Sequence, residues 1–376
     1  MPGGPQYFYP ITDGTWYGAA FNLRVRNIHA ATQQTAQTQG KSMKRSIRTA
    51  IATALASFCL CSGADAQLAT FSIPGATFIT PVGINDDGQL TGVYTDASGG
   101  HGFLRQPDGT LTTFDVPVAG TKETLPAGIS AAGVITGLYE GSAQSGGFVR
   151  AADGTITTFT VPHARYGFTV GGMNAKGWSV GGYRRLQNAH GLFQSFLRRP
   201  SGKAAEFTVP GATGGSIATR VNNFQTVAGV ALIWHKDHYQ GFIRTADGTA
   251  TVFGNPRYRV EVTGINDAGT ISGWFQSNPF EGYIRTSDGA LTTFLAPNGS
   301  KATYANAINN SGTIAGRAVD SDQVSHGYLR TADGKFKTVD PEGAAGTELL
   351  AINNKGVVAG DYVNADGAVF GFLGKP

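Results

Sequence analysis

Residues 147–162 read "GFVRAADGTITTFTVP": two apolar runs flank an Asp-Gly step, and a proline closes the second. Asp-Gly between alternating runs signals a hairpin, because both residues tolerate the positive φ that a tight turn demands. Nearly the same line returns as "GFLRQPDGTLTTFDVP" at 102–117, "GFIRTADGTATVFGNP" at 241–256 and "GYIRTSDGALTTFLAP" at 282–297. A hairpin repeated at roughly 45 residues has the spacing of propeller blades.

Each repeat holds four short runs. One is the "TTFDVP" run. A second ends in Asn, at Asn85, Asn174, Asn222, Asn266, Asn309 and Asn353, with Ser130 standing in once. A third follows a glycine, as in "GQLTGVY" and "GTISGWF", and the fourth is the "GFLR" run before the Asp-Gly turn. All are four to seven residues long, apolar with alternation, and bounded by Gly, Asn, Asp or Pro, which predicts strands with turn punctuation. The Asn-x-x-Gly step fits a tight turn, since Asn bonds its own backbone and Gly takes positive φ without a clash. No stretch after residue 66 keeps a helical period.

Four short antiparallel strands cannot bury both faces alone, whereas radial stacking buries them against neighbouring sheets. Seven Asn-type runs predict an all-β, seven-bladed β-propeller of four-stranded blades. The last repeat stops at "VFGFLGKP" (369–376), with no Asp-Gly turn and no following "TTF" strand, while "LATFSIPG" (68–75) is an unpartnered copy of that strand. The N-terminal strand is therefore expected to pair into the last blade and close the ring.

The stretch "GINDDGQLTGVYTDASGGHGFLRQPDGTLTTFDVPVAGT" (83–121) resembles the bacterial extracellular HAF-type repeat, named for a His-Ala-Phe step. The step here is His101-Gly102-Phe103 and His326-Gly327-Tyr328, with Gly146, Gln194, Gln240, Glu281 and Phe370 replacing the histidine elsewhere. The resemblance covers all seven repeats. It implies export and a repeated β architecture, and carries no general catalytic set.

Export is also readable directly. Lys44, Arg45 and Arg48 precede an apolar stretch from Ile51 to Leu60, and Ala64-Asp65-Ala66 offers small residues at a cleavage site. Residues 43–66 thus read as a secretory signal, cut after Ala66. The apolar stretch is shorter than the ~20 residues a bilayer span needs, so no stable span is expected after cleavage. Residues 1–42 lie upstream of this signal and are read as a non-native, disordered extension, with translation starting at Met43. Residues 67–376 then form a single propeller domain in a secreted protein, extracellular or periplasmic.

The leader distorts the charge. It holds six of the 29 Lys and Arg and two of the 25 Asp and Glu, leaving 23 of each beyond residue 66. That balance removes any electrostatic case for nucleic-acid binding. Cys59 and Cys61 leave with the leader, so an exported chain would be held by its core without disulfides.

Strand alternation puts the Asn-x-x-Gly and Asp-Gly turns at one end of the propeller and the variable loops at the other. Binding residues concentrate on variable loops held by a rigid scaffold. The loop sequences "YRRLQNAHGLFQ", "ALIWHKDHYQ" and "NPRYR" offer Arg184, Arg185, His190, Trp234, His235, His238 and Arg257, to which Trp274 adds a ring. Aromatics beside cations suit a sugar or anionic polymer. The leading expectation is a secreted binding module for carbohydrate or a cell-surface protein. A polysaccharide hydrolase or lyase using the loops of blades three to five is the alternative, with a structural envelope protein behind it. His190, His235 and His238 are the candidate bases, with Arg184 or Arg257 as neutraliser, but nothing in the spacing pairs them, so no catalytic set is assigned. The loop "WHKDH" lacks metal-ligand spacing, and no metal or cofactor is expected. The recurring arginines (Arg105, Arg150, Arg198, Arg244, Arg285, Arg330) read as scaffold, paired with turn acids such as Asp108 and Asp153 or with carbonyls.

Overall fold

Alternating burial along short strands sets the architecture. In Leu90–Thr95 and Gly100–Arg105, Leu90 and Phe103 are fully enclosed, so each strand needs cover from a neighbouring sheet. The computed structural model describes residues 68–376 apart from 143, 165, 186–191, 234–237 and 298, and every regular element among the described residues is a strand. The expected leader (1–42) and signal (43–66) lie outside the described residues.

Phe78–Ile84, Leu90–Thr95, Gly100–Arg105 and Leu111–Phe114 pair in sequence order, all antiparallel. This meander, called unit one here, recurs as unit two (121–159), unit three (166–207), unit four (215–253), unit five (260–294) and unit six (302–338). Units one and two share an eight-stranded sheet through a single parallel bridge, Gly100 to Glu123, and units three and four through Phe193 to Gly215. The other sheets are four-stranded. In every unit the first hairpin slips register at the same place, between Pro81 and Gly83 in unit one and between Leu349 and Ala351 at the end of the chain. A recurrent bulge adds local twist at the same point of each unit.

Unit seven supplies only Ala344–Ile352, Val358–Asn364 and Val369–Gly374 from its own stretch of chain, and Leu68–Phe71 is its fourth strand. The register runs from Leu68 opposite Gly374 to Phe71 opposite Gly371. One apolar cluster joins the chain ends, with Ile73, Ile79, Leu90 and Phe103 packed beside Ala351, Ala359 and Leu373.

The turn asparagines do more than cap turns. The Asn85 Oδ1 accepts from the Gln89 amide at 2.9 Å, the local bond that the sequence suggested. Its Nδ2 donates to the Ser130 carbonyl of the next unit at 3.1 Å. Asn174, Asn222, Asn266 and Asn309 each donate to the carbonyl of the following turn residue, at 2.7–3.2 Å. Asn353 donates to Asn85, 268 residues away, at 2.9 Å. All six are buried. Ser130 has no amide to extend, and there the Ala131 N–H donates to the Ala175 carbonyl at 3.1 Å instead.

The recurring arginines are scaffold, but their principal partner is a ring. Arg105 lies over Phe71, Arg150 over Phe114, Arg198 over Phe159, Arg244 over Phe207, Arg285 over Phe253 and Arg330 over Phe294, at 4.5–5.6 Å from the ring centre. Each ring comes from the preceding unit's outer strand, so the contact is an inter-unit cation–π stack. Carbonyl bonding is present but weak, as in Arg150 to Ala151 at 3.4 Å. The rings also explain the glycine before the aromatic residue in five units, Gly102, Gly147, Gly241, Gly282 and Gly371: a Cβ on Gly147 would stand 2.2 Å from the Phe159 ring.

Truncating a belt asparagine leaves a buried amide and a buried carbonyl without their partner. Asn266→Ala is therefore expected to cost about 2–3 kcal/mol in chemical denaturation. Asn310→Ala, at an exposed position beside it, is expected to cost less than about 1 kcal/mol. Equal losses would contradict the role of the belt.

Candidate functional site

The first strand of each unit runs from the loop end to the turn end. Five residues before the belt position, the units carry Thr80, Leu125, Thr169, Ile217, Glu261, Tyr304 and Glu348. Polar and aromatic groups therefore concentrate in units five to seven. Their cross-strand partners continue the trend, with Glu261 opposite Trp274, Tyr304 opposite Arg317 and Glu348 opposite Asp361.

These side chains form a connected row. Trp274 stacks on Phe280 with centroids 5.5 Å apart, and Tyr304 meets both edge-on at 5.2 and 5.6 Å. The Arg317 guanidinium lies 4.4 Å from the Tyr304 ring centre and 3.8 Å from Glu348 Oε2. Asn306 Nδ2 donates to Glu348 Oε1 and to the Leu349 carbonyl, both at 2.9 Å. Glu348 is a buried acid, its side chain only 5 % exposed. At the other end of the row, Arg259 Nε donates to Glu261 at 3.1 Å while its guanidinium rests 4.2 Å from the centre of Tyr239. Each of the two arginines faces an acid, and Asp361, opposite Glu348, adds one further carboxylate. The row thus combines half-buried aromatic rings with hydrogen-bonding groups that carry little net charge.

The residues expected at the site go to different neighbours. Trp274 belongs to the row. Arg184 covers Phe193 of its own unit at 4.9 Å, and Arg185 reaches Glu206 at 3.5 Å. Glu206 also accepts from Tyr183 at 2.6 Å, and burial together with this carboxylate pushes the Tyr183 hydroxyl up to about 12. Arg257 is exposed, and its backbone N–H donates to Asn255 Oδ1 at 2.9 Å. His190, Trp234 and His235 lie outside the described residues, as does the side chain of His238, which opens the strand His238–Arg244. Glu261, Phe280, Tyr304, Asn306, Arg317 and Glu348 did not stand out in the sequence. Aligning the units on the belt position and comparing the fifth residue before it would have found the core of the row. One apparent motif dissolves: Gly177-Trp178-Ser179-Val180-Gly181 spells G-x-S-x-G, yet Ser179 is fully buried in a strand and is no exposed nucleophile.

The two His-Gly-aromatic steps build the same arrangement. His101 Nδ1 meets Asp115 at 2.8 Å, and Nε2 meets Ser98 at 2.9 Å and Asp96 at 3.2 Å. His326 Nδ1 meets Asp340 at 2.8 Å and Nε2 meets Asp320 at 3.4 Å. The scattered loop acids Asp96 and Asp320 are thus loop caps and histidine partners: the Ser98 hydroxyl and amide hold Asp96 at about 2, and Asp320 caps Asp322 and Val324. Burial opposes protonation of His101, but Asp115 and then Asp96 outweigh it and raise its pKa. Asp340 leads the same upward shift at His326.

No protein-family model matches the chain, and no curated protein matches it in sequence. Among solved structures, a streptogramin B lyase is similar with a TM-score of 0.56 at 14% identity, over 82% of this chain and 97% of that one. A virginiamycin B lyase from Staphylococcus aureus, captured as an inactive variant with quinupristin, gives 0.55 at 16% identity, over 82% and 99%. An oligogalacturonate lyase from Vibrio parahaemolyticus gives 0.54 at 11% identity, over 82% and 96%. These are propeller-type enzymes, and at such identities the likeness establishes an all-β, propeller-like fold and nothing of the chemistry.

Raised histidine pKa values carry a definite sign. The stabilisation is complete below the unfolded-state value near 6.5 and fades as pH rises through the higher folded value. The melting-temperature gap between the wild type and a His101→Gln/His326→Gln double variant should therefore be wider at about pH 5.5 than at about pH 9. A gap independent of pH would contradict the ion pairing.

Proposed function

We propose that the units are the blades of a closed seven-bladed propeller, exported as a binding module of the HAF-repeat kind, whose loop end takes up carbohydrate. Support for closure comes from the pairing of Leu68–Phe71 with Val369–Gly374 and from the Asn353–Asn85 bond. Sheets stacked around an axis with joined ends leave no long unpaired edge.

The binding reading rests on the half-buried Trp274–Phe280–Tyr304 group, with Arg317 and Glu348 alongside. Aromatic faces cover the C–H surface of a sugar ring, while carboxylates and guanidinium groups bond its hydroxyls. Because Arg259 is matched by Glu261 and Arg317 by Glu348, a neutral glycan fits better here than a polyanion. The centre of this site is in units five to seven, and it overlaps the expected loops of blades three to five at blade five, through Trp274.

The lyase or hydrolase alternative keeps one specific motive. A base beside a charge-neutralising cation is the minimum for elimination, and Glu348 with Arg317 at 3.8 Å is such a pair. The two readings separate on turnover. Calorimetric titration of a neutral-glycan panel is expected to find a ligand whose affinity falls about tenfold or more, roughly 1.4 kcal/mol, in Trp274→Ala. Glu261→Gln should weaken the same ligand without changing the melting temperature. Product release from the ligand, abolished in Glu348→Gln, would favour the enzyme. Absence of any glycan ligand would overturn the binding reading in favour of an envelope component or a protein partner.

A further inference from the structure

The turn end, opposite the loops, departs from its own repeat in one place. In six units the belt turn ends in glycine with φ between 75° and 83°, at Gly88, Gly133, Gly177, Gly269, Gly312 and Gly356. Unit four instead reads Asn222-Asn223-Phe224-Gln225, and Gln225 holds φ 65°, a conformation that L residues other than Asn and Asp rarely adopt. The ring beside it, Phe224, is 64% exposed, the highest of the exposed large apolar side chains among the described residues. Strain spent on presenting an apolar ring to solvent points to use of that ring.

Its surroundings are cationic. Lys176, from the matching turn of unit three, sits 5.7 Å from the Phe224 ring centre. Arg199 sits 5.6 Å from the ring centre of Trp178, in the same unit. The second turn of unit three reads Arg199-Pro200-Ser201-Gly202-Lys203, where five other units carry Asp-Gly, at Asp108, Asp153, Asp247, Asp288 and Asp333. Pro200 packs against Gly177, so both turns of unit three meet at this end. Lys176, Arg199 and Lys203 are all exposed, and the acid bonded to the Phe224 turn is Asp267, whose oxygens already accept from Asn223 and Asn310.

We propose that Trp178, Phe224, Lys176 and Arg199, with Lys203, form a second binding surface, for a single chain of acidic polysaccharide. Ring faces suit the C–H surface of uronate sugars, and the cations suit their carboxylates. A flat anionic bilayer fits less well, because laid on this end it would meet Asp108, Asp153, Asp247, Asp288 and Asp333 on the neighbouring turns. A narrow polymer laid along the two turns of unit three and the Phe224 ring meets Lys176, Arg199 and Lys203, and has only Asp247 of unit four to skirt. This surface is independent of the loop-end site.

The test is titration of the full chain with polygalacturonate and with alginate, read by calorimetry. Lys176→Gln/Arg199→Gln should weaken binding by about tenfold or more, and Phe224→Ser by a smaller factor. Raising the salt from about 50 to 300 mM should weaken the wild type far more than the double variant. Trp274→Ala should leave this binding unchanged, which separates the surface from the loop-end site. The proposal is overturned if neither polymer binds, or if the double variant binds as the wild type does. Equal affinity for poly-glutamate would overturn it in favour of an acidic protein partner, and equal affinity for phosphatidylglycerol vesicles in favour of a membrane.

Discussion

The structure depends on a buried carboxamide that recurs in six of the seven units. A short four-stranded sheet has two apolar faces and cannot cover either by itself. Its neighbours must be held at a fixed height, or the strand faces no longer match. The belt asparagine does this with both ends of its amide: Oδ1 closes its own turn, and Nδ2 reaches the backbone of the next unit. Buried polar groups are costly unless satisfied, so the amide is at once an adhesive and a gauge of register. Around it runs a second, more exposed tier, in which Asn354 bonds to Asp86, Asn310 to Asn354, and Asp267 to Asn310.

Farther out, the same neighbours are joined by arginine laid on phenylalanine. Where one partner is missing, so is the other. Val339 of unit six stands where the ring should be, and Gly374 of unit seven where the guanidinium should be. A guanidinium without a ring to cover would be half-buried and unpaired, and burial already lowers the pKa of Arg105, Arg150, Arg198 and Arg285. The last interface is filled by apolar contact instead, with Val339 packed beside Leu349 and Phe372.

Most of the strand order is legible in the sequence, because turn chemistry is local. Asn-x-x-Gly and Asp-Gly identify themselves, and the spare "LATF" strand announces its missing sheet. Partners across units are not local and were harder to read. The arginines were expected beside turn acids or carbonyls; the carbonyl bonds are there, but Asp108 and Asp153 chiefly cap Thr110 and Thr155 in their own turns, while the rings come from residues 32–39 positions earlier in the chain. The site suffered in the same way. Loop composition drew attention to Arg184 and Arg185, which have partners within unit three, whereas Tyr304 and Glu348 sit inside strands and look like ordinary strand residues until the units are aligned.

A propeller-like stack of repeated sheets presents two chemically different ends, one of variable loops and one of uniform turns. Here each end departs from the repeat in a single sector. The loop end does so at Trp274 and Glu348, with charges matched, and the turn end at Phe224 and Arg199, with charges unmatched. Both assignments presuppose that first and last strands belong to one sheet. Hydrogen exchange of the backbone amides in 68–71 addresses that point most directly. If the chain ends are zipped together, those amides of this edge strand that bond across to Val369–Gly374 exchange only with global unfolding, as slowly as those around Leu349. Exchange within seconds, while Leu349 stays protected, would mean that the ends are not joined.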